Sequence, residues 1–277
     1  MVTVVLLSSG GAEAAKKPKT GTGAAAEVKK VAPSLPAEKL AKVRALLFGD
    51  DDGAALDAAK ALGQSGASNA FEPLVDLLSV GAVPARTQAA IEALGGLADP
   101  RTIDVLEVYA GNRSADVRRR AVKSLAAIKD DKGEQVVPAL LAALGDAAPD
   151  VRAAAADALA ARKESKAGPR LLALVKRNDA GAAPALGLLA TPELVPQLAE
   201  LQGAVDDNVV ASALGEYIKR DDVPDSLRVD VVHTIGRLSG AASTAALVEY
   251  LAAIPAKDDR PSKKEAQKLV DEKGAAK

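Results

Sequence analysis

The chain has 277 residues, 36 basic and 37 acidic side chains and a formal net charge of −1. It has no Cys and a single His, His233, which excludes a disulfide framework, a zinc cluster built on Cys and His, and a thiol nucleophile. Ala and Leu, 61 and 34 residues, make up about a third of the chain, and aromatic residues only 2%. That composition suits closely packed helices and not a β-sandwich.

Val2 to Leu7 form a short apolar run, followed by the small-x-small triplet Ala12-Glu13-Ala14 and by Ala15-Lys16-Lys17. Residues 1–15 therefore read as the back half of a secretory signal. On that reading the protein is periplasmic or secreted; without it, cytoplasmic. Residues 16–36 are mostly Lys, Gly, Thr, Ala and Pro, and read as a flexible linker. Nothing in the chain approaches the roughly 18 apolar residues of a membrane span, so no membrane insertion is expected.

From residue 37 to 255 the sequence repeats. A capping helix over Pro36–Phe48 presents Leu40, Val43, Leu46 and Leu47. One helical stripe then recurs, with a small residue followed four positions later by Leu or Ile. It appears as Ala58 and Leu62, as Ala90, Leu94 and Leu97, and as Val117, Ala121, Leu125 and Ile128. It returns as Val151, Ala155 and Leu159, and again as Leu227, Val231, Ile235 and Leu238. Each stripe is followed by a turn and a second apolar segment, beginning near Phe71, Ile103, Val136, Leu171 and Ala245. Pro73, Pro138 and Pro169 fall in first turns, where a missing N–H costs nothing. The unit is helix, turn, helix, about 32 residues long, and stacked units bury the stripes that one unit leaves open. The predicted fold is an all-α solenoid of antiparallel helix pairs. Between Leu201 and Leu227 the register is ambiguous: Val209–Arg220 reads equally as a first or a second helix. Residues 256–277 carry seven basic and five acidic side chains and read as a charged, solvated tail. A short helix over Ser262–Lys273 would have an apolar face of only Ala266, Leu269 and Val270.

Asp116-Val117-Arg118 recurs as Asp150-Val151-Arg152, with Asp225 and Arg228 as a looser copy. The Asp is expected to cap its helix, and the Arg to pair with an Asp of the adjacent repeat. These starts, the turns Ala61-Leu62-Gly63, Ala93-Leu94-Gly95 and Ala185-Leu186-Gly187, and Asp99-Pro100-Arg101 resemble HEAT repeats of the short bacterial kind. The resemblance spans roughly residues 38–254. It implies a stacked solenoid with a continuous concave face. Some HEAT-like proteins are bilin-chromophore lyases, so it also permits a lyase-type enzyme.

The candidate chemistry is sparse. Asp50-Asp51-Asp52-Gly53 lacks the alternate ligand spacing and the terminal Glu of a calcium loop, and reads as a cap and turn. Gly10-Gly11 and Gly95-Gly96 fit no phosphate-binding fingerprint. His233 falls on the face opposite Val231 and Ile235 and reads as exposed. Tyr109, Tyr217 and Tyr250 read as core-edge residues. Arg118-Arg119-Arg120 reads as a solvated face with one paired Arg. Residues 41–255 hold 23 basic and 29 acidic side chains, the wrong sign for nucleic acid. No catalytic, cofactor or metal residue is assigned. The second helices, expected to line the concave face, offer Glu72, Asp76, Asp104, Glu107, Glu193, Gln197 and Glu200. The sequence thus predicts a non-catalytic scaffold for a basic or mixed-charge protein segment. A structural component of an envelope assembly is the alternative.

Overall fold

The structure, a computed structural model, describes residues 33–275 except 82, 98 and 129–134. The apolar run, the small-x-small triplet and the turn at Asp130–Gly133 lie outside the described residues. Ala32–Lys277 form one unit. Its α-helices are α1 (Ala37–Leu47), α2 (Asp52–Ser65), α3 (Phe71–Ser79), α4 (Pro84–Leu97) and α5 (Thr102–Ala110). There follow α6 (Ala115–Ala127), α7 (Val136–Ala143), α8 (Pro149–Ala161), α9 (Gly168–Val175) and α10 (Ala183–Leu189). The last five are α11 (Val195–Ala199), α12 (Asp207–Ile218), α13 (Asp225–Arg237), α14 (Ala241–Ala253) and α15 (Pro261–Ala275). Among the described residues there is no β-strand, only an isolated bridge between Gln202 and Val205.

The helices form two rows. The even-numbered helices α2 to α14 pack side by side in succession, whereas the odd-numbered helices from α1 to α13 hardly touch one another and pack on the even row. Small residues make the close row. A Cβ on Gly63 of α2 would sit 2.6 Å from Ala93 Cα of α4, and one on Gly187 of α10 would sit 2.1 Å from the Ala213 carbonyl oxygen of α12. The stripe residues Leu62, Leu94, Leu125 and Leu159 are fully buried, each contributing about 1.5–3 kcal/mol of apolar burial. Pro73, Pro138, Pro169 and Pro184 all fall in first turns.

Four expectations need correction. First, α12 belongs to the close row, between α10 and α14. The stripe Leu227–Leu238, read as a first helix, is therefore α13 in the open row, and the segment near Ala245 is α14 in the close row. Second, residues 261–275 are not a solvated tail. They form α15, which packs on α13 and α14 and buries Ala266 completely. Ser262 is buried too, its hydroxyl 2.6 Å from Tyr250 Oη and donating to Asp225 Oδ1. Third, Asp116 and Asp150 lie inside the first turns of α6 and α8 and are not N-caps. Asp51 and Asp206 do cap α2 and α12, accepting from the backbone N–H groups of Ala54 and Asn208. Fourth, Leu46 is half exposed while its neighbour Leu47 is buried.

Candidate functional site

The inter-repeat pairing expected of the helix-start arginines is present at Arg118 and Arg152, whereas Arg228 donates to the carbonyls of Ile218 and Arg220. Arg118 makes a two-pronged pair with Asp146, both distances 2.7 Å, and donates to the carbonyls of Asn112 and Arg113. Asp146 also accepts from the N–H of Ala148 at the start of α8. The Arg118 guanidinium, more than the burial that opposes it, holds the Asp146 carboxyl below its ordinary value. Arg152 repeats the arrangement one step on, with Asp179 and the carbonyls of Asp146 and Ala147. This ladder holds the turns together, and both of its arginines are paired.

A groove of about 550 Å³ runs along the exposed face of the close row. Leu56, Gly63, Ala85, Ala89, Ala93 and Gly96 of α2 and α4 make its bed. The small residues that let the helices approach also leave this face low. Its polar wall is Asp57, Lys60, Gln64, Gln88, Glu92 and Arg120. A second hollow of about 400 Å³ shares Glu92, Gly96 and Arg120 and extends to Arg119, Lys123 and Ala127 of α6. All three arginines of the Arg118–Arg120 cluster are therefore paired, not one. Asp116 takes Arg119 at 2.6 Å, Arg120 at 3.0 Å and the Gln88 amide at 2.9 Å, and Arg120 also reaches Glu92. Arg119 and Arg120 hold the Asp116 carboxyl below its ordinary value. Asp57, Lys60 and Lys123 are exposed and make no ion pair among the described residues.

The acidic set expected to line a binding face is dispersed along the open row. Glu72 and Asp76 lie on α3, Asp104 and Glu107 on α5, and Glu193, Gln197 and Glu200 on or beside the short α11. Asp76 is tied to Arg44 of α1 at 2.6 Å, and the Glu193 carboxyl is held low mainly by the Thr191 hydroxyl. None of the seven lines the close-row groove. His233 is half exposed, with Nδ1 3.8 Å from a carboxylate oxygen of Glu265 on α15. Tyr217 and Tyr250 are fully buried, not at the edge, and Tyr109 is half-buried. Among the described residues no group of three or more His, Asp or Glu side chains is placed to hold a metal ion, and no helix is long and apolar enough to cross a membrane.

Two rows of stacked helices, bonded repeat to repeat by buried Leu and by Arg–Asp pairs, define a helical-repeat protein. The HEAT-repeat pattern matches residues 82–134 and 108–183, and the PBS lyase HEAT-like repeat pattern matches residues 54–79. The matched residues, 54–79 and 82–183, are thus supported as HEAT repeats. No curated protein matches it. Among solved structures it is similar to a chain of the complex of CpcE and CpcF of phycocyanin lyase from Nostoc sp. The identity is 21%, over 92% of this chain and 99% of that one, with a TM-score of 0.44. A crystal structure of importin beta matches at 16% identity over 83% of this chain and 36% of that one, TM-score 0.42. An engineered protein matches at 22% identity over 86% and 97%, TM-score 0.36.

Proposed function

We propose that this protein is a non-catalytic scaffold that binds a mixed-charge protein segment along the close row. The observation that carries the reading is the groove over α2, α4 and α6. It has a low Ala and Gly bed, and acids and bases of both signs stand along its walls. A bed in which Leu56 is the one bulky side chain admits a backbone closely. Asp57, Lys60 and Lys123 offer charges that make no ion pair among the described residues. Of the carboxylates lining the groove, Glu92 is engaged by Arg120 and Asp57 stands exposed on the wall.

The test uses the full chain as bait in a native extract, with crosslinking and mass spectrometry. A triple variant of the groove, Asp57→Lys, Lys60→Glu and Lys123→Glu, is run beside a triple variant of the open row, Glu72→Lys, Asp104→Lys and Glu107→Lys. All six positions are exposed, so both variants are expected to fold. Partners lost with the groove variant and kept with the open-row variant support the reading. The reverse pattern moves the interface to the acidic side chains of the open row. A partner set indifferent to both overturns the scaffold assignment at either face.

A further inference from the structure

The open row leaves a cleft of about 250 Å³ between α7 and α9. Its floor is apolar: Leu144 and Leu174 are buried, Leu141 is half-buried, and Ala173 faces out. Its rim is cationic, formed by Arg170 and Arg177, both exposed. The cleft continues into a hollow of about 430 Å³ beside the start of α8, which shares Leu144, Gly145, Leu174 and Arg177.

The charge balance here differs from that of the molecule as a whole. The two carboxylates lining the adjoining hollow, Asp146 and Asp179, are already taken by Arg118 and Arg152. The last-turn carbonyls that would make a helix C-terminus electronegative are also engaged. Ala142 and Ala143 accept from the N–H groups of Gly145 and Asp146, and Leu174 and Val175 from those of Arg177 and Asn178. Arg170 spends one N–H on the Leu141 carbonyl at 2.7 Å, which holds its guanidinium across the cleft mouth. Its remaining donors are uncommitted, and Arg177 makes no ion pair among the described residues. The field left over is that of two guanidinium groups above an apolar floor.

We propose that this cleft docks an acidic protein segment carrying an apolar anchor. Its carboxylates pair with Arg170 and Arg177, a planar two-donor geometry that guanidinium groups favour, and its apolar side chain covers Leu141, Leu144 and Leu174. The site is separate from the groove of the close row and takes the opposite charge from the basic segment that the acidic open-row helices suggest. It does not rest on the groove reading.

The test is fluorescence anisotropy with the full chain and a labelled peptide of about twelve residues alternating Glu or Asp with Leu. A second peptide replaces every acid by Lys. Arg177→Glu and Ala173→Glu alter exposed positions of the cleft; circular dichroism checks that both fold. Saturable binding of the acidic peptide is expected, weakening with added salt. Each variant should weaken it by about tenfold or more, and Lys60→Glu in the distant groove should leave it unchanged. The proposal is overturned by equal binding of the two peptides, by no saturable binding, or by cleft variants that bind as the parent does. It is overturned as well if inorganic polyphosphate displaces the peptide and binds with the same dependence on Arg177, since the cleft would then be a phosphate site.

Discussion

Single residues set how closely the repeats approach. Gly187 has room for no side chain: a Cβ would meet the Ala213 carbonyl oxygen at 2.1 Å and Glu216 Cβ at 2.7 Å. Gly187→Ala should therefore force α10 and α12 apart and cost about 1–3 kcal/mol, read as a melting temperature several degrees lower. Gly53 meets only the Asp51 carboxylate, so Gly53→Ala is the control and should be close to neutral. The Arg–Asp ladder makes a prediction in pH. Asp146 has a folded-state pKa below its unfolded value. Its pairing therefore stabilises the fold above about pH 4, the ordinary carboxylate range, and is lost as pH falls through the folded value. Asp99, Asp116 and Asp222 are held low by arginines in the same way, and Asp258 is lowered to about 2 beside Arg260. The urea midpoint should fall between about pH 4 and pH 2, and Asp146→Asn should flatten that fall while lowering the midpoint at neutral pH. An acid limb of unchanged slope in the variant would show that the pair adds nothing to stability.

At the scale of the element, the stack was legible wherever the small-then-Leu stripe kept its spacing, from α2 through α8. It failed at α13, for a physical reason. A helix in either row buries a stripe at intervals of three and four residues, so periodicity detects the stripe without saying which row it joins. The better signal was the Ala-Leu-Gly triplet, which lies inside the close-row helices and not at turns. Its Gly meets the next helix of the close row at Gly63 and Gly187, and Ala213-Leu214-Gly215 carries it into α12, where Gly215 faces Ala246 of α14. α15 was missed because its apolar face is three residues wide; what holds it is largely polar. Ser262 links Asp225 and Tyr250, and Lys273 donates to the Leu238 carbonyl at 2.9 Å and to Ser243 Oγ at 3.1 Å. Ser262→Ala would leave both the Asp225 carboxylate and the Tyr250 hydroxyl short of a partner, at a cost of about 1–3 kcal/mol. Hydrogen exchange should show that loss first in α15 and α13. Protection unchanged there would mean that α15 is held by its apolar contacts alone. The grooves were not legible at all, because they depend on distances between helices. The Arg120–Glu92 pair, for instance, joins α6 to α4.

At the scale of the whole described unit, the pattern of contacts is nearly one-dimensional. Each close-row helix touches the members before and after it and the open-row helices beside it, so stability is carried from neighbour to neighbour and not through one central core. A lesion in the middle should therefore divide the stack. Leu125 of α6 is fully buried between α4 and α8. Leu125→Ala should cost about 2–5 kcal/mol in transfer and cavity terms. In a globular core that loss would lower a single cooperative transition. Here the interfaces of α6 with α4 and α8 weaken, while those of α12 with α10 and α14 keep every contact. Hydrogen exchange should fall across α4 to α8 and stay near parental values in α12 and α14, and thermal unfolding should broaden toward two steps. Val108→Ala, at a position 73% exposed on α5, should change neither property and lie within about 0.5 kcal/mol of the parent. A single sharp transition for Leu125→Ala, with protection lost evenly from α2 to α14, would show that the rows unfold as one unit and that coupling between repeats exceeds what neighbour contacts supply.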